Sequence, residues 1–255
     1  MIKMKKQTVI VTGASSGIGK AIAQYFLEKG DNVVMNSVRK DNLEKTFAEF
    51  NNTDRLVMVT GDISDKRVGQ RLVAAAVEKF GAVDVLVNNA GIFKPKPFLD
   101  VDEHELNEVI SINLKGTYFT TQAAIRQMLR QGEGVVINIG SAWTDHPIGE
   151  FGATAPLITK GGIHVLSRLL AAEFGRNNIR VNTIAPGVIR TPLQGKTGVD
   201  DADSLAPLHL LDRIGEVKDI AEMAYLVAKS NFITGATINV DGGHAAGHHL
   251  KAINA

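Results

Sequence analysis

Seven short apolar runs, mostly β-branched, punctuate the chain at 8–12, 32–36, 56–60, 83–88, 134–139, 180–185 and 237–240. Runs that are apolar on consecutive rather than alternate positions mark strands buried on both faces. Between them lie longer stretches whose apolar residues recur at three- and four-residue spacing, at 20–29, 66–80, 103–129, 157–175 and 217–228. That period predicts helices with one buried stripe. The alternation predicts an α/β protein: one doubly wound parallel sheet of about seven strands, with helices on both faces. No linker or change of composition divides 1–255, so the chain reads as a single domain. Only 191–213 breaks the alternation, mixing Gly195, Gly198 and Pro207 with Leu205, Leu208, Leu210 and Leu211. An irregular segment of that length predicts a substrate lid.

Bulk properties narrow the function classes. The formal net charge is +1, so no global field draws in nucleic acid or an anionic membrane. No apolar stretch approaches the roughly 20 residues that cross a bilayer. The basic start, with Lys3, Lys5 and Lys6, reads as a solvated terminus. The chain has no cysteine, which removes disulfides, thiolate metal sites and thiol nucleophiles. With no export signal in the sequence, the cytoplasm is the expected compartment. His244, His248 and His249 cluster late in the chain without acidic partners at ligand spacing, so no metal site is expected.

Thr12-Gly13-Ala14-Ser15-Ser16-Gly17-Ile18-Gly19 follows the first apolar run and opens the first helical stretch. Glycines there let the backbone turn sharply and approach a ligand, while the helix start presents unpaired N–H groups suited to pyrophosphate. A glycine-rich turn alone also fits a purely structural loop. Its position between strand and helix favours binding, although the spacing Gly-x-x-x-Gly-x-Gly differs from the commoner Gly-x-Gly-x-x-Gly.

From this loop onward the chain resembles the short-chain dehydrogenase/reductase family, and the resemblance runs almost end to end. It implies a Rossmann-type domain that binds a nicotinamide dinucleotide. Gly13, Ser15, Ser16, Gly17, Ile18 and Gly19 match the family's phosphate loop, and Asp62-Ile63 its adenine contact. Asn88-Asn89-Ala90-Gly91 matches the motif after the fourth strand, implying cofactor contacts at Asn89, Ala90 and Gly91. Pro186, Gly187, Ile189 and Thr191 resemble the nicotinamide-side loop. Asn113, Ser141 and Lys160 fall at the positions of the catalytic asparagine, serine and lysine, the lysine also contacting the nicotinamide ribose. Where NAD-preferring members end the second strand with an acidic residue, this chain has Ser37, and Arg39 follows two residues on. No carboxylate would repel a 2′-phosphate and a guanidinium would pair with one, so NADP(H) is favoured over NAD(H).

One member of the family's catalytic set is missing. The resemblance places a tyrosine four residues before the lysine, and here that position is Pro156. Proline has neither an ionisable proton nor a backbone N–H. It suits the first turn of a helix, with Thr154 as the expected N-cap. Tyr25, Tyr118 and Tyr225 lie in other helical stretches and read as packing or surface. His146, in the slightly lengthened loop after Ser141, carries the nearby imidazole and is the candidate substitute acid or base. Three readings stay open: an oxidoreductase with non-standard or weakened proton transfer, a catalytically silent dinucleotide binder acting as sensor or partner subunit, and an enzyme using cofactor and Lys160 differently. A small-molecule carbonyl or alcohol is the expected substrate. Lys94 and Lys96 suggest an anionic one or are simply solvated. The resemblance implies a homotetramer, with a dimer second, built on the helices carrying Asn113 and Lys160.

Overall fold

The computed structural model describes residues 6–51, 54–193 and 201–249. Seven strands form one sheet: β1 (Thr8–Val11), β2 (Asn32–Ser37), β3 (Leu56–Thr60), β4 (Val85–Asn88), β5 (Gly134–Ile139), β6 (Ile179–Pro186) and β7 (Thr237–Val240). Every pairing is parallel, and the spatial order is β3-β2-β1-β4-β5-β6-β7. The chain winds outward from β1 through β3, returns, and winds the other way from β4. The reversal opens a crevice at the carboxyl ends of β1 and β4, where ligands bind in such sheets.

The strands are apolar on both sides because helices cover both sides. Val9 and Val11 point toward Ile22 and Phe26 of α1 (Gly17–Glu28), while Ile10 between them joins the opposite cluster with Leu72. That second face is covered by α3 (Lys66–Phe80), α5 (Thr117–Gln131) and α6 (Thr154–Phe174), and the first also by α7 (Val217–Lys229). Each fully buried Ile or Leu contributes about 1.5–3 kcal/mol. Local signals set the helix ends: Asp65 caps α3 by accepting the Arg67 N–H, and Gly81 closes it at φ +82°.

Two elements differ from the periodicity. A short α2 (Lys40–Glu49) buries only Leu43 and Thr46, too thin a stripe to read in sequence. The stretch expected as one helix at 103–129 is α4 (Glu103–Val109), a π-helical segment Ile110–Gly116, and α5. Such widened turns occur often at functional sites, and this one carries Asn113.

Candidate active site

The glycine-rich loop after β1 is held from both sides. Thr12 is fully buried, and its hydroxyl oxygen accepts the N–H groups of Asn89 and Ala90, each at 3.0 Å. The Asn89 amide returns two bonds, to the carbonyls of Thr12 (3.0 Å) and Gly13 (3.3 Å). Gly13 has φ +66°, and a Cβ there would stand 2.9 Å from the Ala90 Cα. A Cβ on Gly19 would stand 2.4 Å from the Gly13 carbonyl oxygen. These two glycines therefore let three chain segments close on one another. Gly17, at φ +53°, faces Thr191, whose methyl would lie 3.3 Å from an added Cβ. The loop after β6 thus meets the loop after β1, as the sequence matches imply.

α1 starts here with no side-chain cap on its Ser16 N-cap and no acidic residue in its first turn. Its first amides are left without a side-chain cap, and a pyrophosphate would fit such a helix start. Ser15 and Ser37 touch hydroxyl to hydroxyl at 2.8 Å, which closes the end of β2 against the loop. Arg39 is exposed at the N-cap of α2, its guanidinium resting against the Asn42 amide. Lys40 beside it is exposed as well. Asp62 is exposed and accepts the Ser64 N–H, whereas Ile63 is buried against Gly116 of the π segment.

The other end of the candidate site lies between β5 and α6. Lys160 is half-buried, and its ammonium donates to the Ile139 carbonyl at 2.7 Å. Desolvation lowers its pKa to about 8. An ideal Cβ on Gly91 would stand 3.1 Å from Asn113 Oδ1 and 3.7 Å from Lys160 Nζ, so the 89–91 loop, the asparagine and the lysine meet here. Asn113 is fully buried: it accepts the Ile92 N–H (2.8 Å) and donates to the Ile92 carbonyl (3.0 Å) and the Thr159 hydroxyl (3.1 Å). Thr159 in turn donates to the Pro156 carbonyl at 2.6 Å. The asparagine amide thus clamps the first turn of α6 to the loop after β4.

Pro156 is buried in that first turn, where no backbone N–H is needed. The N-cap is Ala153, not Thr154; Thr154 is already helical and makes no cap bond, so that expectation is corrected. The helix start is held instead by packing and by the Asn113–Thr159 link. His146 has an exposed side chain, and its backbone is engaged on both sides: its N–H donates to the Ala142 carbonyl at 3.2 Å and its carbonyl meets His244 Nε2 at 2.9 Å.

A different histidine underlies the serine. His164 is almost fully buried, one helical turn after Lys160. The Ser141 N–H donates to its Nε2 at 3.4 Å, so Nδ1 carries the proton and faces the Thr144 hydroxyl at 3.2 Å. Thr144 closes the loop by donating to the Ser141 carbonyl at 2.8 Å. One imidazole therefore holds both backbone groups of Ser141. Burial pushes its pKa down, with Asp145 opposing and Lys160 adding to the shift. Gly140 makes the arrangement possible, because a Cβ there would lie 2.2 Å from His164 Nε2. The signal was available in sequence as a histidine on the buried stripe of α6, in phase with Lys160, Ser167 and Ala171.

Further contacts support the surrounding chain. Asn88, Asn138 and Thr183 lie side by side across β4, β5 and β6 and join Thr121 and Ser167 in a buried polar row beneath the site. Gly187 allows the loop after β6 to pass Asp241 and His209, and His209 accepts the Val188 N–H. Lys94 and Lys96 pair with Glu108 and Glu105, so their charge is matched locally and does not argue for an anionic substrate. Tyr25 and Tyr225 pack on each other. Of the segment expected as a lid, 194–200 lies outside the described residues, and Ala202–Leu208 is a 3₁₀ helix. Among the described residues no helix is long and apolar enough to cross a membrane.

Comparison with known proteins decides the family. The model of the short chain dehydrogenase family matches residues 7–202. The chain belongs to this family. Among its curated relatives it is similar to the 3-oxoacyl-acyl-carrier-protein reductase FabG of Thermotoga maritima, 31% identical over 95% of this chain and 99% of that one. It is also similar to an L-rhamnose 1-dehydrogenase (NAD(P)+) of Azotobacter vinelandii, 37% identical over 93% and 96%. Among solved structures it resembles ElxO with NADP bound, with a TM-score of 0.87 and 30% identity over 95% of this chain and all of that one. The short-chain dehydrogenase fold is thus shared from β1 to β7, and the relatives are oxidoreductases with carbonyl or alcohol substrates.

Proposed function

We propose that the protein is an NADP(H)-dependent oxidoreductase of a carbonyl or alcohol substrate, with proton transfer weakened or rerouted at Pro156. The observation that carries this is the meeting of Gly91, Asn113 and Lys160 at the crevice, beside a phosphate loop whose helix start is uncapped. Gly13, Ser15, Ser16, Gly17, Ile18 and Gly19 would hold the pyrophosphate. Asp62 and Ile63 would border the adenine, and Asn89, Ala90, Gly91, Lys160, Pro186, Gly187, Ile189 and Thr191 the nicotinamide half. The bound cofactor supplies hydride chemistry at the carbon. This chain's own residues orient the substrate oxygen through Ser141 and hold positive charge near it through Lys160. At the end of β2, Ser37 with exposed Arg39 and Lys40 supports NADP(H) over NAD(H), as does the NADP-bound neighbour.

The absence of a side-chain proton at Pro156 favours a second reading, a dinucleotide binder without turnover. Calorimetry with NADPH and NADH, followed by NADPH oxidation with a panel of aldehydes, ketones and 3-oxoacyl thioesters, separates the two. The oxidoreductase reading expects tight NADPH binding and measurable consumption of at least one carbonyl. Binding without any consumption supports the silent protein.

Two apolar faces support a homotetramer. Ile158, Val165 and Leu169 share an exposed face of α6, and Leu211, Leu226 and Phe232 are exposed near the β7 edge. Two self-complementary faces on one chain generate two dyads, whereas a single one gives a dimer. Sedimentation velocity distinguishes them, and Leu169→Glu is expected to yield dimers. The cytoplasm suits a cysteine-free chain that uses this cofactor.

A further inference from the structure

A third apolar cluster lies outside the two that sandwich the sheet. It is centred on Trp143, Val188 and Ile214, and Phe93, Phe151, Leu157 and Leu205 pack against it. These residues come from the segments that follow β4, β5 and β6, at the carboxyl ends of the strands. The cluster borders the reacting end directly: Trp143 is two residues after Ser141 and donates its backbone N–H to the Ser141 hydroxyl at 3.2 Å, while Leu157 adjoins Pro156. The Trp143 ring is set edge-on to Phe93 (centroids 6.3 Å) and tilted to Phe151 (5.1 Å).

Trp143 is only 8% exposed, yet its indole N–H has no acceptor. Buried indole N–H groups normally find one. The other polar rings nearby are already committed: both His244 nitrogens face carbonyls, those of Leu208 and His146, and His209 Nε2 takes the Val188 N–H. The cluster therefore presents hydrocarbon and aromatic surface with one unspent donor. Leu205 and Leu208 cover it from the 3₁₀ segment, which Arg190 ties down through Asp203.

We infer that this cluster receives the body of the substrate, an apolar ring-sized group bearing a hydrogen-bond acceptor for the Trp143 indole N–H, set away from the reacting carbon. The inference rests on the oxidoreductase reading for the identity of that carbon. A hydroxyl-dense sugar would leave most of its polar groups unmatched here. The body would take the place that Leu205 and Leu208 now fill against the tryptophan.

Trp143 is the single tryptophan of the chain, so its emission reports the site without turnover. Suitable probes are 4-methoxycyclohexanone, 4-ethylcyclohexanone of the same shape without the ether oxygen, and D-glucose. Titrated into the NADP-loaded protein, both ketones should change the emission saturably, with dissociation constants at least tenfold below that of glucose. Saturation-transfer NMR then compares the wild type with Trp143→Phe, which keeps a ring and removes the N–H. The affinity ratio of methoxy to ethyl ketone should fall about fivefold in the variant, with NADPH affinity unchanged. Glucose binding as tightly as the ketones, or a ratio equal in both proteins, overturns the inference. If Trp143→Phe does not fold, the wild-type emission contrast between ketones and glucose decides it. Ketones that bind in the expected order but are never reduced by NADPH would sink the oxidoreductase reading while leaving the site assignment standing.

Discussion

The two ends of the crevice are built differently. At the β1–α1 end, glycines, Thr12 and Asn89 lock three segments by close backbone contacts around an uncapped helix start. At the β5–α6 end, the Ser141 backbone rests on His164, Lys160 reaches the Ile139 carbonyl, and Pro156 fills the first turn of the helix with a side chain that has no proton to give. The first end depends on backbone geometry, which a short glycine pattern fixes. The second depends on side-chain chemistry, which one substitution removes without disturbing the helix that carries it. The proposed binding and proton-transfer roles would therefore be separable in this fold, each open to being broken alone.

The largest expected effect is at the cradle. Gly13→Val forces a side chain into positive φ and against Ala90. NADPH affinity should fall about 100-fold, some 2.7 kcal/mol at 1.36 kcal/mol per decade. Calorimetry checks it, and an unchanged affinity would show that the cradle is not the binding site. Next comes the serine support. Gly140→Ala drives a methyl into His164 Nε2 and should cost about 1–3 kcal/mol of stability by overpacking. Adding His164→Ala should relieve much of that strain, so denaturant melts of the double variant should show strong non-additivity. A simple sum would mean that the two residues do not share this space.

A pH effect follows from the same imidazole. Its folded pKa is lowered, so the neutral form is the one that fits, and the unfolded chain takes up the proton first as pH falls. The stability it contributes is present above its unfolded pKa near 6.5 and is lost as pH drops through the lower folded value. The wild type should therefore lose more stability between pH 7 and 5 than His164→Leu. The smallest effect is at the end of β2. Arg39→Ala should weaken NADPH by about tenfold, the scale of one charge-assisted hydrogen bond, and leave NADH unchanged. Equal losses for both cofactors would move the phosphate contact elsewhere.

Much of this was legible in the chain itself. Near-continuous Val and Ile runs with one helical stripe between them pointed to a seven-stranded parallel sheet, because strands joined by helical crossovers are covered on both faces. The glycine loop, Asn89, Asn113, Ser141 and Lys160 could be singled out as candidates because each sits at a strand end or on a helix that follows one. The π turn around Asn113 was not, since a widened turn leaves no mark in a 3.6-residue period. Nor was the choice between histidines. His146 is nearer to Ser141 in sequence, but His164 reaches it through the fold, from a helix whose buried phase faces the serine loop. Contacts between distant segments are what periodicity cannot supply. The same limit hid the carboxylate partners of Lys94 and Lys96.

The central claim is that Pro156 limits proton transfer alone. Pro156→Tyr places a phenol one turn before Lys160, whose charge lowers a neighbouring phenol's pKa. Single-turnover reduction of a carbonyl found by the panel should accelerate by about 10²–10⁴-fold, the usual worth of a general acid. NADPH affinity should stay within about twofold, well under one decade of binding energy. A faster reaction at constant affinity is the predicted result. A turnover rate unchanged by the tyrosine, with the variant folded and NADPH bound, would contradict the account.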